Sequence, residues 1–563
     1  VTKSYEQLSE ERKAGQAKGH FPDWYTTQAY QMFQAKYAVE GEDGLLGRHS
    51  TIANTLSKHM PNSEYWEREF FKIMWNGWFS PASPVLANTG TDRGLMVSCS
   101  GQYIGDSIDS FYGNLREAAI LSKLGFGCSG DFSDVRHRGS PISVGGAASG
   151  PVPVIKDFAT MASKVSQGSQ RRGSFASYLD IEHPDFWELC ELLEAEPDGL
   201  NIGWTVRDSW IERLKAGDKD ANDRFTQALH TKLVTGRGYF FKIDEANRHR
   251  PPMYIDLNLD IRATNLCTEI MLHSSERYTY TCVLSSMNLA KYDEWKDTNA
   301  IYIATVFLDC LVSEFLEKAD GIPGLEKALD FTRKGRAVGL GVMGFSTYLQ
   351  KHGIPFESFD AHLLNQEIFK KLHDESLRAS QDMAKAMGEP EWCEGYGVRN
   401  THRTALAPTK STAQLMGGVS ESTSPDPAMV FEMGSAAGGL KRISSEFYHL
   451  AKERGKYSKA LIDDINQHIG SVQHLDWLSD HEKAVFRTAF EVDQEAILRL
   501  ASTRQKYLCQ GQSLNFFVSE DGDEDRIARL HSRALMDPNI LSLYYVYSRS
   551  GVTINNECVA CHA

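Results

Sequence analysis

From about residue 97 onward, short apolar stretches that read as strands alternate with longer amphipathic stretches that read as helices, over roughly 450 residues. This pattern needs crossovers between strands and predicts an α/β fold whose strands are mostly parallel. Residues 97–104 read as a strand, and Asp109 or Ser110 caps a helix over 111–124. Residues 175–181 read as a strand, His183-Pro184-Asp185 opens an acidic helix, and 200–250 read strand, helix, helix, strand. Further strands are expected at 278–284, 404–408 and 540–547, with helices over most of 300–349 and 463–512. Residues 1–75 carry apolar residues at helical spacing and read as a separate helical layer, and 79–90, rich in Pro, Gly and Ser, reads as a loop.

The chain has 563 residues, long enough for roughly two to four domains or one large α/β core with additions. Hydrophobic residues are 41 % and charged residues 24 %, as in a soluble globular protein. A net charge of −14 argues against broad nucleic-acid or anionic-membrane binding. No apolar run approaches the roughly 20 residues of a membrane span, and the N-terminus has no signal-peptide core. Its start at Val1 suggests processing or trimming. The ten cysteines are sparse and unevenly spaced, which reads as free thiols in a reducing, cytoplasmic compartment. Cys558 and Cys561 form a close pair at the end of the chain.

Thr264-Asn265-Leu266-Cys267-Thr268-Glu269 is the stretch with the most chemistry. If extended, it points Asn265, Cys267 and Glu269 the same way, with neighbouring Cα atoms roughly 6–7 Å apart. A thiol can give up a hydrogen atom, a carboxylate can take a proton, and an amide can hold a hydroxyl. Six residues alone favour a buried structural cysteine beside a turn. Gly/Ser/Arg loops at 125–150 and 166–174 suit phosphate and base contacts, or else are surface loops with solvated arginines. Thr409-Lys410-Ser411-Thr412 opens a helix, which is either a phosphate cradle or an ordinary N-cap.

Together, Asn265-Leu266-Cys267-Thr268-Glu269, Cys99 and Cys282 on two further strands, the hydroxyl loop at 409–412, Leu543-Tyr544-Tyr545 and the terminal thiol pair resemble the large catalytic subunit of class I ribonucleotide reductase. The resemblance covers about residues 75–561. It implies a ten-stranded α/β barrel of two five-stranded parallel halves with a central finger loop, beside the N-terminal helical layer. The domains expected are 1–75 (helical), 76–547 (barrel) and 548–563 (redox tail). It also implies reduction of ribonucleoside diphosphates to 2′-deoxyribonucleotides. Cys267 would carry a transient thiyl radical, with Glu269 taking the 3′-hydroxyl proton and Asn265 holding the ribose hydroxyls. Cys99 and Cys282, roughly 180 residues apart, would supply two electrons as a disulfide, which requires Cα atoms about 4.4–6.8 Å apart.

The same resemblance makes Tyr544 and Tyr545 a radical relay, and Cys558 and Cys561 the thiols that re-reduce the disulfide. About 13 residues separate Tyr545 from Cys558, a reach of about 45 Å when extended. Ser83, Ser98, Asn265, Glu269, Lys410, Ser411, Thr412 and Arg171 would contact substrate; Lys410 stands where well-known members carry an acid. Asp106, Ser107, Ile108 and Arg136 would bind a deoxynucleotide or ATP effector. No metal or cofactor is expected in this chain, because a metal-containing small subunit would supply the radical. Thioredoxin or glutaredoxin and a second copy of the chain complete the implied partners. The first 75 residues lack the pattern of the nucleotide-binding cone of many relatives, so no shut-off by dATP through such a cone is expected. The alternative is a class II, adenosylcobalamin-dependent reductase, from which the tyrosine pair distinguishes this chain. A catalytically inactive nucleotide-binding regulator would have no use for all five redox cysteines.

Overall fold

A computed structural model describes residues 3–549 apart from 168–170, 436–437 and 520–523. Four helices open the chain: α1 (Tyr5–Ala17), α2 (Thr27–Lys36), α3 (Gly44–Ser57) and α4 (Ser63–Trp75). Ser4 and Thr26 cap the first two through their hydroxyls, as small oxygen-bearing side chains do at N-caps. These helices pack into the same apolar core as the sheet that follows.

The strands are β1 (Phe79–Pro81), β2 (Cys99–Tyr103), β3 (Gly127–Asp131), β4 (Phe175–Asp180), β5 (Asn201–Val206), β6 (Tyr239–Lys242), β7 (Tyr280–Asn288), β8 (Val338–Met343), β9 (Phe516–Val518), β10 (Ser542–Leu543) and β11 (Val546–Ser548). One curled, mixed nine-strand sheet runs β1-β7-β2-β3-β4-β5-β6-β10, with β8 on the other edge of β7. Strands β2 to β6 are parallel neighbours. The sheet turns antiparallel where β2 meets β7 and where β6 meets β10. Beyond β8 the hydrogen bonding continues through parallel bridges Leu340–Thr404 and Leu406–Gln512, while β9 pairs in parallel with β11. All nine residues of β7 are buried, as expected of a strand covered on both faces.

The alternation of strand and helix is therefore borne out, with local corrections. Residues 79–90 are a short strand and then a helix, Ser83–Asn88, because Pro84 at its start fits the fixed φ of a first helical turn. Strand β3 lies inside a Gly-rich run that reads as loop. Its glycines serve close packing, since a Cβ on Gly127 would stand 2.9 Å from Leu266 Cδ1. The 540–547 stretch is two short strands with Tyr544 and Tyr545 between them. The 404–408 stretch contributes only isolated bridges, and 463–512 is broken into separate helices. A satellite core built from Met429, Phe447, Ile465, Leu475 and Phe486 packs the segment after the main sheet's second edge. Among the described residues no single helix is long and apolar enough to cross a membrane.

Candidate active site

Residues 264–269 do not form a strand. Leu266 and Cys267 make a turn closed by Thr268 N–H to Asn265 O at 3.3 Å, and Thr268 takes a left-handed φ of 70°. The expected alternation of side chains fails because the segment is a buried loop whose carbonyls need donors from elsewhere. The Tyr178 hydroxyl donates to Asn265 O at 3.1 Å, Ser513 to Cys267 O at 2.5 Å and Ser542 to Thr268 O at 2.9 Å. The Gly511 amide donates to Glu269 O at 2.8 Å. Four donors from three segments of the fold thus hold the turn.

The turn still brings its polar side chains to one place. Asn265 Nδ2 donates to the Cys99 sulfur at 3.3 Å, and Asn265 Oδ1 accepts from the Ile270 amide at 3.1 Å. The Tyr544 hydroxyl donates to the Cys267 sulfur at 3.4 Å. Cys99 and Cys282 are direct partners in the β2–β7 antiparallel register, where facing Cα atoms lie about 4.5–5.5 Å apart. That falls in the range a disulfide spans, and both thiols are free. Gln510 Nε2 donates to the Cys282 sulfur at 3.8 Å.

Electrostatics follow from burial. Glu269 is fully buried, and burial raises its pKa to about 7 against the opposing hydrogen bonds of Asn265, its own amide and Ser513. Ser513 Oγ reaches Glu269 Oε2 at 3.1 Å, while Oε1 has no partner. Ser98 Oγ and Thr268 Oγ1 are also buried without partners. Such orphaned groups fit a ligand that carries hydroxyls. Burial, reinforced by Glu269 and Cys267, raises Cys99 well above the usual thiol range, and burial with Glu269 takes Cys282 to about 12. Both stay protonated at neutral pH.

The tyrosines cluster in tilted and edge-on contacts. Tyr544 and Tyr545 have ring centroids 4.3 Å apart, and Tyr239 packs on both while donating its hydroxyl to Tyr545 at 3.2 Å. Lys410 begins the helix Lys410–Leu415, with Ser411 and Thr412 buried beside it. Its ammonium stands 5.4 Å above the Tyr547 ring. Burial by itself would lower the Lys410 pKa, but Tyr547 and Glu421 outweigh it and hold the group charged. Thr409, the preceding residue, adds no side-chain cap to this helix. Ser83 sits at the start of its own helix and hydrogen-bonds Tyr37 at 2.8 Å.

Asp106 and Arg136 form an exposed ion pair at 2.7 Å. Ser107 caps the adjacent helix Ile108–Lys123 through Ser110 N, and Ile108 is 68 % exposed. Arg171 lies in a two-residue strand paired with Ser166–Gln167, and its side chain falls outside the described part of the structure, as do Cys558 and Cys561. Two groups elsewhere have ligand atoms close enough for a metal ion, Asp464-His468-His474 and His59-Glu314-Glu317. Sequence reasoning missed Ser513, Gln510, Tyr178 and Tyr239. The polar run Gln510-Gly511-Gln512-Ser513 between apolar neighbours was the available signal for the first two.

The comparisons agree with this geometry. The family model "Ribonucleotide reductase, barrel domain" matches residues 97–225, 218–394 and 390–545, and "Ribonucleotide reductase, all-alpha domain" matches 23–94. The chain is similar in structure to the class Id ribonucleotide reductase alpha subunit of Actinobacillus ureae, with a TM-score of 0.86 and 38 % identity over 95 % of this chain and 99 % of that one. It is 32 % identical to a Frog virus 3 (isolate Goorha) protein named as a ribonucleoside-diphosphate reductase large subunit, over 95 % of this chain and 98 % of the relative. A vitamin B12-dependent ribonucleoside-diphosphate reductase of Thermoplasma acidophilum is 29 % identical over 90 % of this chain and 68 % of its own length. The chain belongs to the ribonucleotide reductase family, as a class I large, catalytic subunit.

Proposed function

We propose that this ribonucleoside-diphosphate reductase subunit works through a thiyl radical on Cys267. The observation that carries the reading is the hydrogen bond from Tyr544 to the Cys267 sulfur, inside a site that also holds Asn265, Glu269 and the facing Cys99 and Cys282. The sulfur radical breaks the substrate's 3′ C–H bond and forms S–H. Glu269 accepts the 3′-hydroxyl proton, and Asn265 with Ser98 holds the ribose hydroxyls. The 2′-hydroxyl leaves as water with a proton from the thiol pair. Cys99 and Cys282 give two electrons, deliver their second hydrogen to C2′ and become a disulfide; Cys267 then returns its hydrogen to C3′, which restores the thiyl radical, and Glu269 returns the proton to the 3′-oxygen. Burial of the site protects the radical from quenching.

The remaining roles rest on position. Tyr545 and Tyr544 relay the radical inward from a metal-containing small subunit of the kind class I enzymes use, and similarity to the class Id protein favours that subtype. Ser83, Arg171 and the Lys410-Ser411-Thr412 turn hold the substrate, the last through amides at a helix start. Asp106, Ser107, Ile108 and Arg136 take a deoxynucleotide or ATP effector, in a homodimer. Cys558 and Cys561 re-reduce the internal disulfide, and thioredoxin or glutaredoxin resets them.

The fold reading is a closed ten-stranded barrel within residues 76–547, flanked by the helical layer 1–75 and the redox tail 548–563. Supporting closure, Tyr544 N–H donates to Leu514 O at 2.9 Å, which joins the last strands to the 512–514 segment beyond β8. The compartment is the cytoplasm. The deciding experiment is CDP reduction by the chain with metal-loaded small subunits, set against the chain with adenosylcobalamin alone. Turnover with the small subunit that disappears in Cys267→Ser is expected, and turnover with cobalamin alone would overturn the relay.

A further inference from the structure

A small cavity lies between Phe356, Leu406, the 422–424 and 512–514 segments and the helix Gln494–Gln505. Its free space is about 10 Å3, the room of one water-sized particle or single-atom ion. Arg504 lines it and is 2 % exposed. Arg504 Nε donates to Asn365 Oδ1 at 2.9 Å, and one terminal nitrogen donates to Thr423 Oγ1 and Gln512 Oε1, both at 3.2 Å. All three acceptors are neutral. The guanidinium also lies against the rings of Phe345 and Phe369.

Three other buried arginines face carboxylates: Arg48 meets Glu42, Arg336 meets Asp309, and Arg442 meets Asp426, while buried Arg403 donates to the Ser376 hydroxyl and lines no such cavity. Arg504 pairs with no carboxylate among the described residues. Burial lowers its pKa to about 9, which leaves it cationic at neutral pH. A cation held in a water-poor site without a counter-charge draws an anion. The cavity wall supplies further donors. Thr423 accepts from Arg504 with its oxygen, so its O–H hydrogen is left to donate, and Ser422 and Ser424 line the same space.

We propose that this cavity binds one halide-sized inorganic anion, chloride under ordinary conditions, held by Arg504 and the hydroxyls of Ser422, Thr423 and Ser424. The cavity borders the catalytic turn, because Ser513, whose hydroxyl meets Cys267 O and Glu269, is itself part of its lining. The inference does not depend on the roles proposed for those residues, since its test reads binding.

Crystals of the wild-type chain soaked in sodium bromide are expected to give an anomalous peak in the cavity beside the Arg504 guanidinium. In parallel, replacing sodium gluconate by sodium chloride at equal ionic strength is expected to raise the melting temperature by about 2 °C or more, by mass action on the folded state. That rise is expected to vanish in Arg504→Gln. A cavity that holds only water after the bromide soak overturns the proposal, whether or not Arg504→Gln folds.

Discussion

The Tyr544 hydroxyl points at the Cys267 sulfur across 3.4 Å, and the ring behind it packs at a tilt on Tyr545, with centroids 4.3 Å apart. Tyr544→Phe keeps the ring and removes only the hydroxyl, a loss of about 1 kcal/mol of stability. CDP reduction with the small subunit is expected to fall to background while substrate affinity stays within about two-fold, since only a transition-state contact is lost. A Phe variant that keeps a tenth of the wild-type rate would remove Tyr544 from the relay.

Glu269 sets an acid limb. As a base it must be ionised, so kcat/KM is expected to fall as pH drops through about 7, where burial holds its pKa. Glu269→Gln should cost about 10²–10⁴-fold in rate and abolish that limb. Stability moves the other way. The folded pKa lies above the unfolded value of about 4.3, so burial favours the protonated acid and its contribution is lost as pH rises through about 7. Denaturant melts at pH 5 and pH 8 should show Glu269→Gln gaining on wild type at the higher pH.

Cys99 and Cys282 face each other across the β2–β7 register. With no external reductant, the chain is expected to stop after about two turnovers, one for each dithiol, with Cys558 joined to Cys561 and Cys99 joined to Cys282, the latter readable as a cross-linked peptide pair in a mass map. Cys99→Ser and Cys282→Ser should each abolish that cross-link and sustained turnover. A cross-link joining Cys267 instead would contradict the assignment.

Gly341, in the middle of β8, has no room for a side chain: a Cβ there would stand 2.4 Å from Ala405 O. The contact is with backbone, so the wall between β8 and the 404–406 segment must shift. Gly341→Ala is expected to lose about 1–3 kcal/mol of stability in urea unfolding. Unchanged unfolding would mean the two segments are looser than their hydrogen bonds indicate.

Period and motif carried much of this to the page in advance. The alternation of strand and helix, the free thiols and the roles suggested by Asn265, Cys267 and Glu269 were legible because they depend on local residue order. The shape of the 264–269 turn was not, because its carbonyls are satisfied by Tyr178, Gly511, Ser513 and Ser542, none of them near in sequence. Strand β3 was hidden for a related reason. Its glycines look like loop until Leu266 and Phe175 are seen pressed against them. Lys410 is expected to face a diphosphate, and the fold also sets it over the Tyr547 ring, a contact made across 137 residues that no local pattern encodes.

The donors that hold the Cys267 turn come from residues 178, 511, 513 and 542, so the turn cannot be ordered until nearly the whole chain has been made and brought together. A nascent or truncated chain therefore carries the thiol without the scaffold that aims it. Assembly order itself acts as a safety catch: the residue able to host a radical is armed last, after the walls that confine it are in place.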